Sequence, residues 1–178
     1  DNSAQGWILG ASFSVADQKL QTSTWSATEV SYYNNQTFSA GYTYQVDAAP
    51  PDTSGDWNTT RIVFNLQDTN NYYFLQVSNA SAPGANTTQL FKKVNGTETA
   101  ITTYGTYDIG GKTTTFEVKY ESGGYIAIKG TQSGVTTTLF NRVQDSTFTS
   151  GKIGVGIRAS NDSFDNVLVT SGTVVSSP

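Results

Sequence analysis

The sequence predicts an all-β protein built as an antiparallel β-sandwich. Helical periodicity is nearly absent along its 178 residues. Short runs rich in β-branched and aromatic residues alternate between apolar and polar positions, which is typical of half-buried strands. Gly, Asn, Asp and Pro interrupt these runs roughly every 8–12 residues, a spacing that favours a sandwich with about eleven to thirteen strands.

Each strand is predicted from its own alternation. The inward-facing sets are expected to be Phe13 and Val15; Tyr42, Tyr44 and Val46; Ile62, Phe64 and Leu66; Phe116, Val118 and Tyr120; and Ile153, Val155 and Ile157. In RIVFNLQ this leaves Arg61, Val63, Asn65 and Gln67 on the other face. The stretch FDNVLVT is predicted to be the last strand.

Two turns are predicted from their residues. Ser122, Gly123 and Gly124 precede YIAIKG and indicate a hairpin. The stretch DTNNYY, residues 68–73, is interpreted as a turn entering a central strand, because Asp and Asn tolerate left-handed backbone. Since neighbours on a strand face opposite sides, one of Tyr72 and Tyr73 is expected in the core and the other is available to a ligand.

The chain is predicted to be a single domain over residues 1–172, followed by a tail or linker at 173–178. The loops at 48–58 and 78–88 are the least regular segments, but strands resume after each at the same spacing. The length suits one domain with a full core.

Composition excludes several classes of function. The ten Lys and Arg residues are dispersed and the net charge is −4, so nucleic-acid binding is not expected. The chain has no Cys and no His, which excludes disulfides, thiolate or imidazole metal sites and Ser-His-Asp catalysis. No apolar run approaches 18 residues, so no membrane insertion is expected.

Six N-x-Ser/Thr sequons suggest a glycosylated protein that is secreted and extracellular or on the cell surface. The chain opens at Asp1 and lacks Met, which is consistent with processing. An Asn- and Thr-rich surface without glycan is the alternative interpretation. The sequons begin at Asn35, Asn58, Asn79, Asn86, Asn95 and Asn161.

Several segments resemble the concanavalin A-like and laminin G-like jelly-roll domains of lectins and glucanases. They are GWILGASFSVADQKLQTS, RIVFNLQDTNNYYFLQVS, LFKKVNGTETAI and SGKIGVGIRASNDSFDNVLVT, which together span Gly6 to Thr170. The resemblance implies a jelly-roll fold, which hosts lectins, carbohydrate-binding modules, glycan hydrolases, polysaccharide lyases and adhesion domains.

The resemblance has one departure and one further implication. Related domains carry an acidic strand before Gly-Trp, whereas only five residues precede Gly6 here. The first strand is therefore expected to be short or missing, which would leave the last strand with an open edge for self-association. The resemblance also implies a structural Ca²⁺ between Asp1 and Asp165; a turn cap is the alternative role for Asp165.

The residues give little support to the hypothesis that the protein is an enzyme. Only four Glu are present, and Glu117 and Glu121 have no Asp between them, unlike the motif of this fold's glucanases. A polysaccharide lyase would need Arg61, Asn65 and Tyr73 on one face. Alternatively, Arg61 pairs with an acid and Tyr73 packs on its sheet.

The sequence therefore favours a non-catalytic, lectin-like domain that binds a polysaccharide or a cell-surface glycan. Aromatic faces and amides are the groups that recognise sugars. The alternatives are a structural subunit of an extracellular adhesin or filament that assembles by strand exchange, and a lyase or glycoside hydrolase. The candidate ligand-binding residues are Trp57, Arg61, Asn65, Tyr73, Tyr32 and Tyr33.

Overall fold

The computed structural model describes residues 4–22, 28–50, 59–78, 86–158 and 161–171. These residues form two antiparallel sheets and no helix, which confirms the predicted β-sandwich. No helix among them is long and apolar enough to cross a membrane. The strands are β1 (Trp7–Ile8), β2 (Phe13–Ala16), β3 (Lys19–Thr22), β4 (Glu29–Tyr33), β5 (Phe38–Ser39), β6 (Tyr42–Ala49), β7 (Thr59–Asp68), β8 (Asn71–Ser78), β9 (Thr87–Val94), β10 (Thr97–Ala100), β11 (Gly105–Thr106), β12 (Thr114–Glu121), β13 (Tyr125–Gln132), β14 (Val135–Gln144), β15 (Ser150–Arg158) and β16 (Ser163–Ser171).

The two sheets differ in size. The nine-stranded sheet runs β1-β4-β15-β7-β8-β9-β10, with β11 beside β9 and β5 beside β15. The seven-stranded sheet runs β14-β13-β12-β6-β16-β3-β2. The strand β1 is two residues long and pairs with β4. The strand expected before Gly6 falls on residues 1–5, of which 1–3 lie outside the described residues, so that expectation stays a prediction.

Both predicted hairpin turns are present. Glu121 pairs with Tyr125 around Ser122 to Gly124, where both glycines adopt positive φ. Asp68 pairs with Asn71, and its Oδ1 accepts a hydrogen bond from the backbone N of Asn70 at 2.7 Å. The short polar side chain therefore closes the turn in the way that its sequence predicts.

Alternation fixes the core between the sheets. Strands β6 and β12 bury every second residue, because one face packs inward and the other meets water. The predicted inward residues of these strands are all buried: Tyr42, Tyr44, Val46, Phe116, Val118 and Tyr120.

One prediction about strand β7 is wrong. Ile62 and Phe64 face the core as predicted, but Asn65 has φ +48° and the register between β7 and β8 shifts after Phe64. This bulge turns the Asn65 side chain inward, where its Oδ1 accepts from Tyr42 Oη at 2.8 Å. Leu66 packs on the opposite face instead. An extra residue in one strand inverts the alternation beyond it.

A partly buried polar network attaches the segment between β14 and β15 to the core. Tyr73 Oη donates to Asp145 Oδ1 at 2.6 Å and accepts from the Phe148 backbone N at 3.0 Å. Lys92 Nζ lies 2.6 Å from Asp145 Oδ2. Burial alone would raise the pKa of Asp145, but hydrogen bonds from Lys92, Thr147 and Tyr73 outweigh it and lower the pKa to about 2.

Asp145→Asn should lower the free energy of unfolding at pH 7 by about 1–2 kcal/mol, because Lys92 loses its ion pair and Tyr73 its charged acceptor. The folded pKa lies below the ordinary value of 3.8. The stabilisation is therefore present above that value and is lost as the pH falls toward 2. Urea unfolding of both proteins between pH 5 and pH 2 measures the difference, which should shrink over this range. A difference in unfolding free energy that stays constant down to pH 2 would contradict a stabilising role for the charged Asp145 carboxylate.

Candidate functional site

The outer face of the nine-stranded sheet, which points away from the seven-stranded sheet, is buried at its centre. A hydrophobic cluster separate from the main core covers it, here called the outer cluster. Strands β7 and β8 are therefore buried on both faces, unlike β6 and β12. The members of the outer cluster are Val63, Leu66, Tyr72 and Phe74, with Val30, Tyr32 and Phe91 packed against them.

Arg61 lies on this face and is only 1% exposed. Its guanidinium carbon stands 4.3 Å from the centre of the Phe74 ring. Nη1 and Nη2 donate to the two carboxylate oxygens of Glu98 at 2.7 and 3.1 Å, and Nη2 also donates to Gln76 Oε1 at 2.9 Å. A buried guanidinium needs such partners, because an unpaired charge without water is costly.

The strand order explains how these side chains meet. Arg61 pairs with Gln76 across β7 and β8, and Glu98 on β10 stands opposite Lys93 on β9. The Arg61 side chain therefore spans two strands, with Phe74 beneath it. This arrangement fixes the guanidinium in one orientation, since the forked pair has two parallel bonds.

Three buried polar atoms on this face lack a hydrogen-bond partner among the described residues: Arg61 Nε, Tyr72 Oη and Gln89 Oε1. Burial raises the pKa of Tyr72, while the nearby Arg61 guanidinium partly opposes the shift. The Tyr72 hydroxyl is therefore protonated at neutral pH and can both donate and accept. Unpartnered buried groups are rare in folded proteins, and a ligand or water commonly satisfies them.

A pocket of about 290 Å³ adjoins Tyr72 and is here called the outer-face pocket. Lys93 Nζ donates to the Thr69 carbonyl at 3.0 Å and lies 5.4 Å from the centre of the Tyr72 ring. Across the pocket, Glu29 accepts hydrogen bonds from the backbone N and the hydroxyl of Ser12 at 2.6 and 3.0 Å. The lining residues are Gly10, Thr28, Glu29, Val30, Thr69, Asn70, Tyr72 and Lys93.

This set of groups is suited to a neutral, hydroxyl-rich ligand. An ammonium, an amide, a carboxylate and a phenol together offer donors and acceptors in several directions. The pocket walls also include Val30 and the Tyr72 ring, which give apolar contact. Sites with few polar groups on an apolar wall are typical of small-molecule and sugar binding.

The structure brings together only part of the predicted ligand-binding set. Arg61 and Tyr32 lie on the outer face. Tyr33 faces the other way and packs against Trp7, with ring centres 6.1 Å apart. Trp57 lies outside the described residues. Ligand contact by these residues stays a prediction.

Asn65 and Tyr73 lie on the inner side of the sheet and are fully buried. Asn65 Nδ2 donates to the Phe148 carbonyl at 2.9 Å, and Tyr73 bonds Asp145. Their faces therefore do not coincide with that of Arg61, and the lyase arrangement that required all three on one face is not formed. The expectation that neighbouring tyrosines diverge is met, with Tyr73 in the core and Tyr72 at the outer-face pocket.

The structure adds Gln76, Lys93 and Glu98 to the site, and of the two adjacent tyrosines it is Tyr72 rather than Tyr73 that lies at the pocket. A signal for Tyr72 was present, because the unbroken apolar run Tyr72 to Leu75 does not alternate and so indicates a strand buried on both faces. No local signal could place Glu98 beside Arg61, since their contact depends on the pairing of β7 through β10.

Asp165 has other partners in the described residues. Its Oδ2 lies 3.9 Å from Lys19 Nζ, and its Oδ1 accepts from the Asn166 backbone N at 2.8 Å. Asp1 lies outside the described residues. Within the described part of the chain, no group of three or more acidic or other ligating side chains could hold a metal ion. These residues alone do not supply the six to eight oxygens that Ca²⁺ requires.

No protein-family model matches the sequence, and a search of curated proteins finds no match. Solved structures do match the fold. The carbohydrate-binding module CBM66 from Bacillus subtilis superposes with a TM-score of 0.72 at 19% identity, over 93% of this chain and 96% of that chain. The exoplasmic/lumenal domain of VIP36, in its Ca²⁺/Man3GlcNAc-bound form, superposes with a TM-score of 0.60 at 11% identity, over 99% of this chain and 88% of that chain.

The protein has the same jelly-roll β-sandwich fold as these two structures. The xylan β-1,4-xylosidase of Bacillus halodurans C-125 also matches, with a TM-score of 0.69 at 9% identity, over 95% of this chain and 37% of that chain. Identities this low establish a shared jelly roll and nothing about the ligand.

The adjacent tyrosines of the jelly roll give a matched pair of substitutions. Tyr73→Phe should lower the free energy of unfolding by about 1–3 kcal/mol, because Asp145 and Phe148 lose a partner. Tyr72→Phe should leave stability within about 1 kcal/mol of wild type or raise it, because its hydroxyl is buried without a partner. Urea unfolding of the ligand-free variants measures both values. Equal losses for the two variants would show that the Tyr72 hydroxyl has a structural partner.

Proposed function

We propose that the protein is a non-catalytic carbohydrate-binding domain whose ligand enters the outer-face pocket. The observation that carries this proposal is that Tyr72, whose buried hydroxyl has no partner among the described residues, lines a pocket together with Lys93, Asn70 and Glu29. Structural neighbours include a carbohydrate-binding module and the VIP36 exoplasmic/lumenal domain in its Ca²⁺/Man3GlcNAc-bound form, which supports the same class of ligand.

In this proposal each group at the pocket has a distinct part. Lys93 and the Asn70 amide donate to sugar oxygens, and Glu29, which accepts two hydrogen bonds from Ser12, forms part of the polar wall. Tyr72 supplies one further hydrogen bond and an aromatic surface. The Arg61–Glu98 pair acts as a positioning element, because it holds Phe74 and the strands beside Tyr72 in place.

The carboxylates support a binding role over hydrolysis. Lys119 lowers the pKa of Glu121, with help from Arg142, whereas a general acid in a glycosidase needs a raised pKa. Glu117 accepts from Gln45 at 2.9 Å and lies 3.8 Å from Lys129 Nζ. Both side chains are held in polar pairs on the outer face of the seven-stranded sheet.

A secreted, extracellular or cell-surface setting is part of the proposal, with a polysaccharide or a cell-surface glycan as partner. Asn35, Asn95 and Asn161 are exposed and therefore accessible to glycosylation, and Asn86 is half-buried. Asn58 and Asn79 lie outside the described residues. Mass spectrometry of the protein from its native source would measure occupancy at each sequon.

Calcium remains a separate proposal, resting on Asp165 and on Asp1. Isothermal titration of the metal-free protein with Ca²⁺ tests it directly. Saturable heat with an unfolding temperature that rises with Ca²⁺ supports a structural ion. No heat and an unchanged unfolding temperature would reject it.

Affinity gel electrophoresis against β-glucans, mannan, xylan, chitin and uronates tests carbohydrate binding. We expect at least one polymer to retard the wild type. Tyr72→Phe should weaken that binding about tenfold, because one hydrogen bond to a sugar hydroxyl is worth about 1.4 kcal/mol. Tyr73→Phe is the matched control and should bind within about twofold of wild type.

Two results would contradict the proposed site. Retardation that both tyrosine variants retain in full would place the ligand on another surface. The absence of retardation by every polymer in the panel would reject polysaccharide binding by this domain.

A further inference from the structure

The turn between β9 and β10 is bonded to the turn between β7 and β8. Asn95 and Gly96 form the β9–β10 turn and have positive φ, at +49° and +83°. The backbone N of Asn95 donates to Asn71 Oδ1 at 2.9 Å, and the backbone N of Gly96 donates to the Asn70 carbonyl at 3.0 Å. The two turns therefore hold each other in place, and the pair is here called the turn clasp.

The turn clasp forms part of the rim of the outer-face pocket. The side-chain amide of Asn71 donates to both carboxylate oxygens of Asp68 at 3.0 Å each, which fixes its orientation. Lys93 lies two residues before Asn95 and donates from Nζ to the Thr69 carbonyl at 3.0 Å. Because Thr69 and Lys93 both line the outer-face pocket, a group attached to Asn95 stands beside the mouth of that pocket.

The turn clasp also carries a sequon. Asn95, Gly96 and Thr97 read Asn-Gly-Thr, and all three residues are exposed. A glycan is bulky and stays at the surface, so it can be attached here without disturbing the core. Backbone hydrogen bonds of Asn95 and Gly96 belong to the turn clasp, which keeps the attachment point at the rim.

We propose that an N-linked glycan on Asn95 covers the outer-face pocket and lowers the affinity of the protein for a polysaccharide. This inference rests on the proposed function of that pocket. In the modification, Asn95 Nδ2 forms a bond to the anomeric carbon of an oligosaccharide. The donor is an oligosaccharide on a lipid pyrophosphate. The lipid pyrophosphate leaves, and the amide loses one proton.

The position of the glycan makes it a tethered competitor. Its sugars carry the same hydroxyl groups that Lys93 and Asn70 are proposed to bind. A group on a short flexible link reaches an effective concentration on the order of 1 mM at a neighbouring site. A tethered sugar with a dissociation constant of about 0.1 mM would then weaken the binding of a polymer about tenfold.

Thr97 offers a matched pair of substitutions. Thr97→Ala removes the sequon, whereas Thr97→Ser keeps it. Thr97 is exposed and is not a lining residue of the outer-face pocket, so both variants keep the pocket itself. Wild type and variants are produced as the full chain in a host that attaches N-linked glycans and in a host that does not. Mass spectrometry measures the occupancy of Asn95, and unfolding temperatures check that each protein is folded.

Affinity gel electrophoresis with a polymer that retards the unglycosylated protein tests the inference. Mobility in a polymer-free gel is the reference, because a glycan itself changes mobility. From the glycosylating host, Thr97→Ala should bind the polymer about tenfold more tightly than the wild type. Thr97→Ser, where glycosylated, should bind like the wild type. From the other host, all three proteins should bind equally.

Two results would overturn this inference and leave the proposed function standing. One is a wild type from the glycosylating host that carries no glycan on Asn95. The other is a wild type that carries this glycan and binds the polymer as tightly as Thr97→Ala. A third result is distinct, because failure of every polymer to retard the unglycosylated protein would reject the proposed function and this inference with it.

Discussion

The structure depends on the constraint that neighbouring residues of a β-strand face opposite sides of the sheet. This constraint matters most in two strands whose two faces are both buried. Strands β7 and β8 sit in the middle of the nine-stranded sheet. Their inner residues complete the core, and their outer residues form the outer cluster. The sheet therefore stabilises the sandwich with one face and supports the candidate site with the other.

The buried guanidinium of Arg61 follows from the same constraint. Position 61 faces outward in β7, so its charge must find partners on that face. Glu98 and Gln76 provide them, and Phe74 provides a ring beneath. These contacts tie β7, β8 and β10 together and leave the Tyr72 hydroxyl as a group that a ligand can satisfy. At the proposed site, rigidity and recognition would therefore arise from neighbouring side chains on one face, which reduces the ordering cost of binding.

Much of the fold could be predicted because it depends on local sequence patterns. Strict alternation predicts β6 and β12, and the Asp68 and Gly123 turns predict their hairpins. The bulge at Asn65 could not be predicted from alternation, because Asn tolerates positive φ without requiring it. Its place is set by the neighbouring strand: a Cβ at Gly151 would lie 2.2 Å from the Asn65 carbonyl carbon. The close backbone approach needs glycine there.

The site was harder to predict than the fold for a related reason. Alternation alone places Arg61 on the outer face, and Tyr32 lies on the same face, while ligand contact by either residue stays a prediction. Asn65 and Tyr73 were chosen with them, yet the bulge and the opposite facing of Tyr73 place both inside. To predict that Glu98 and Lys93 lie at this face, one must know which hairpin lies beside β8. That strand order is a property of the whole sheet.

The most direct test of the account is an amide NMR titration of ¹⁵N-labelled protein with an oligosaccharide from whichever polymer retards it. The account predicts shifts concentrated at residues 28–30, 69–72 and 91–98, which surround the outer-face pocket. Shifts concentrated instead on residues 115–119 and 127–131, on the outer face of the seven-stranded sheet, would show that the ligand binds elsewhere and that the outer cluster is only structural.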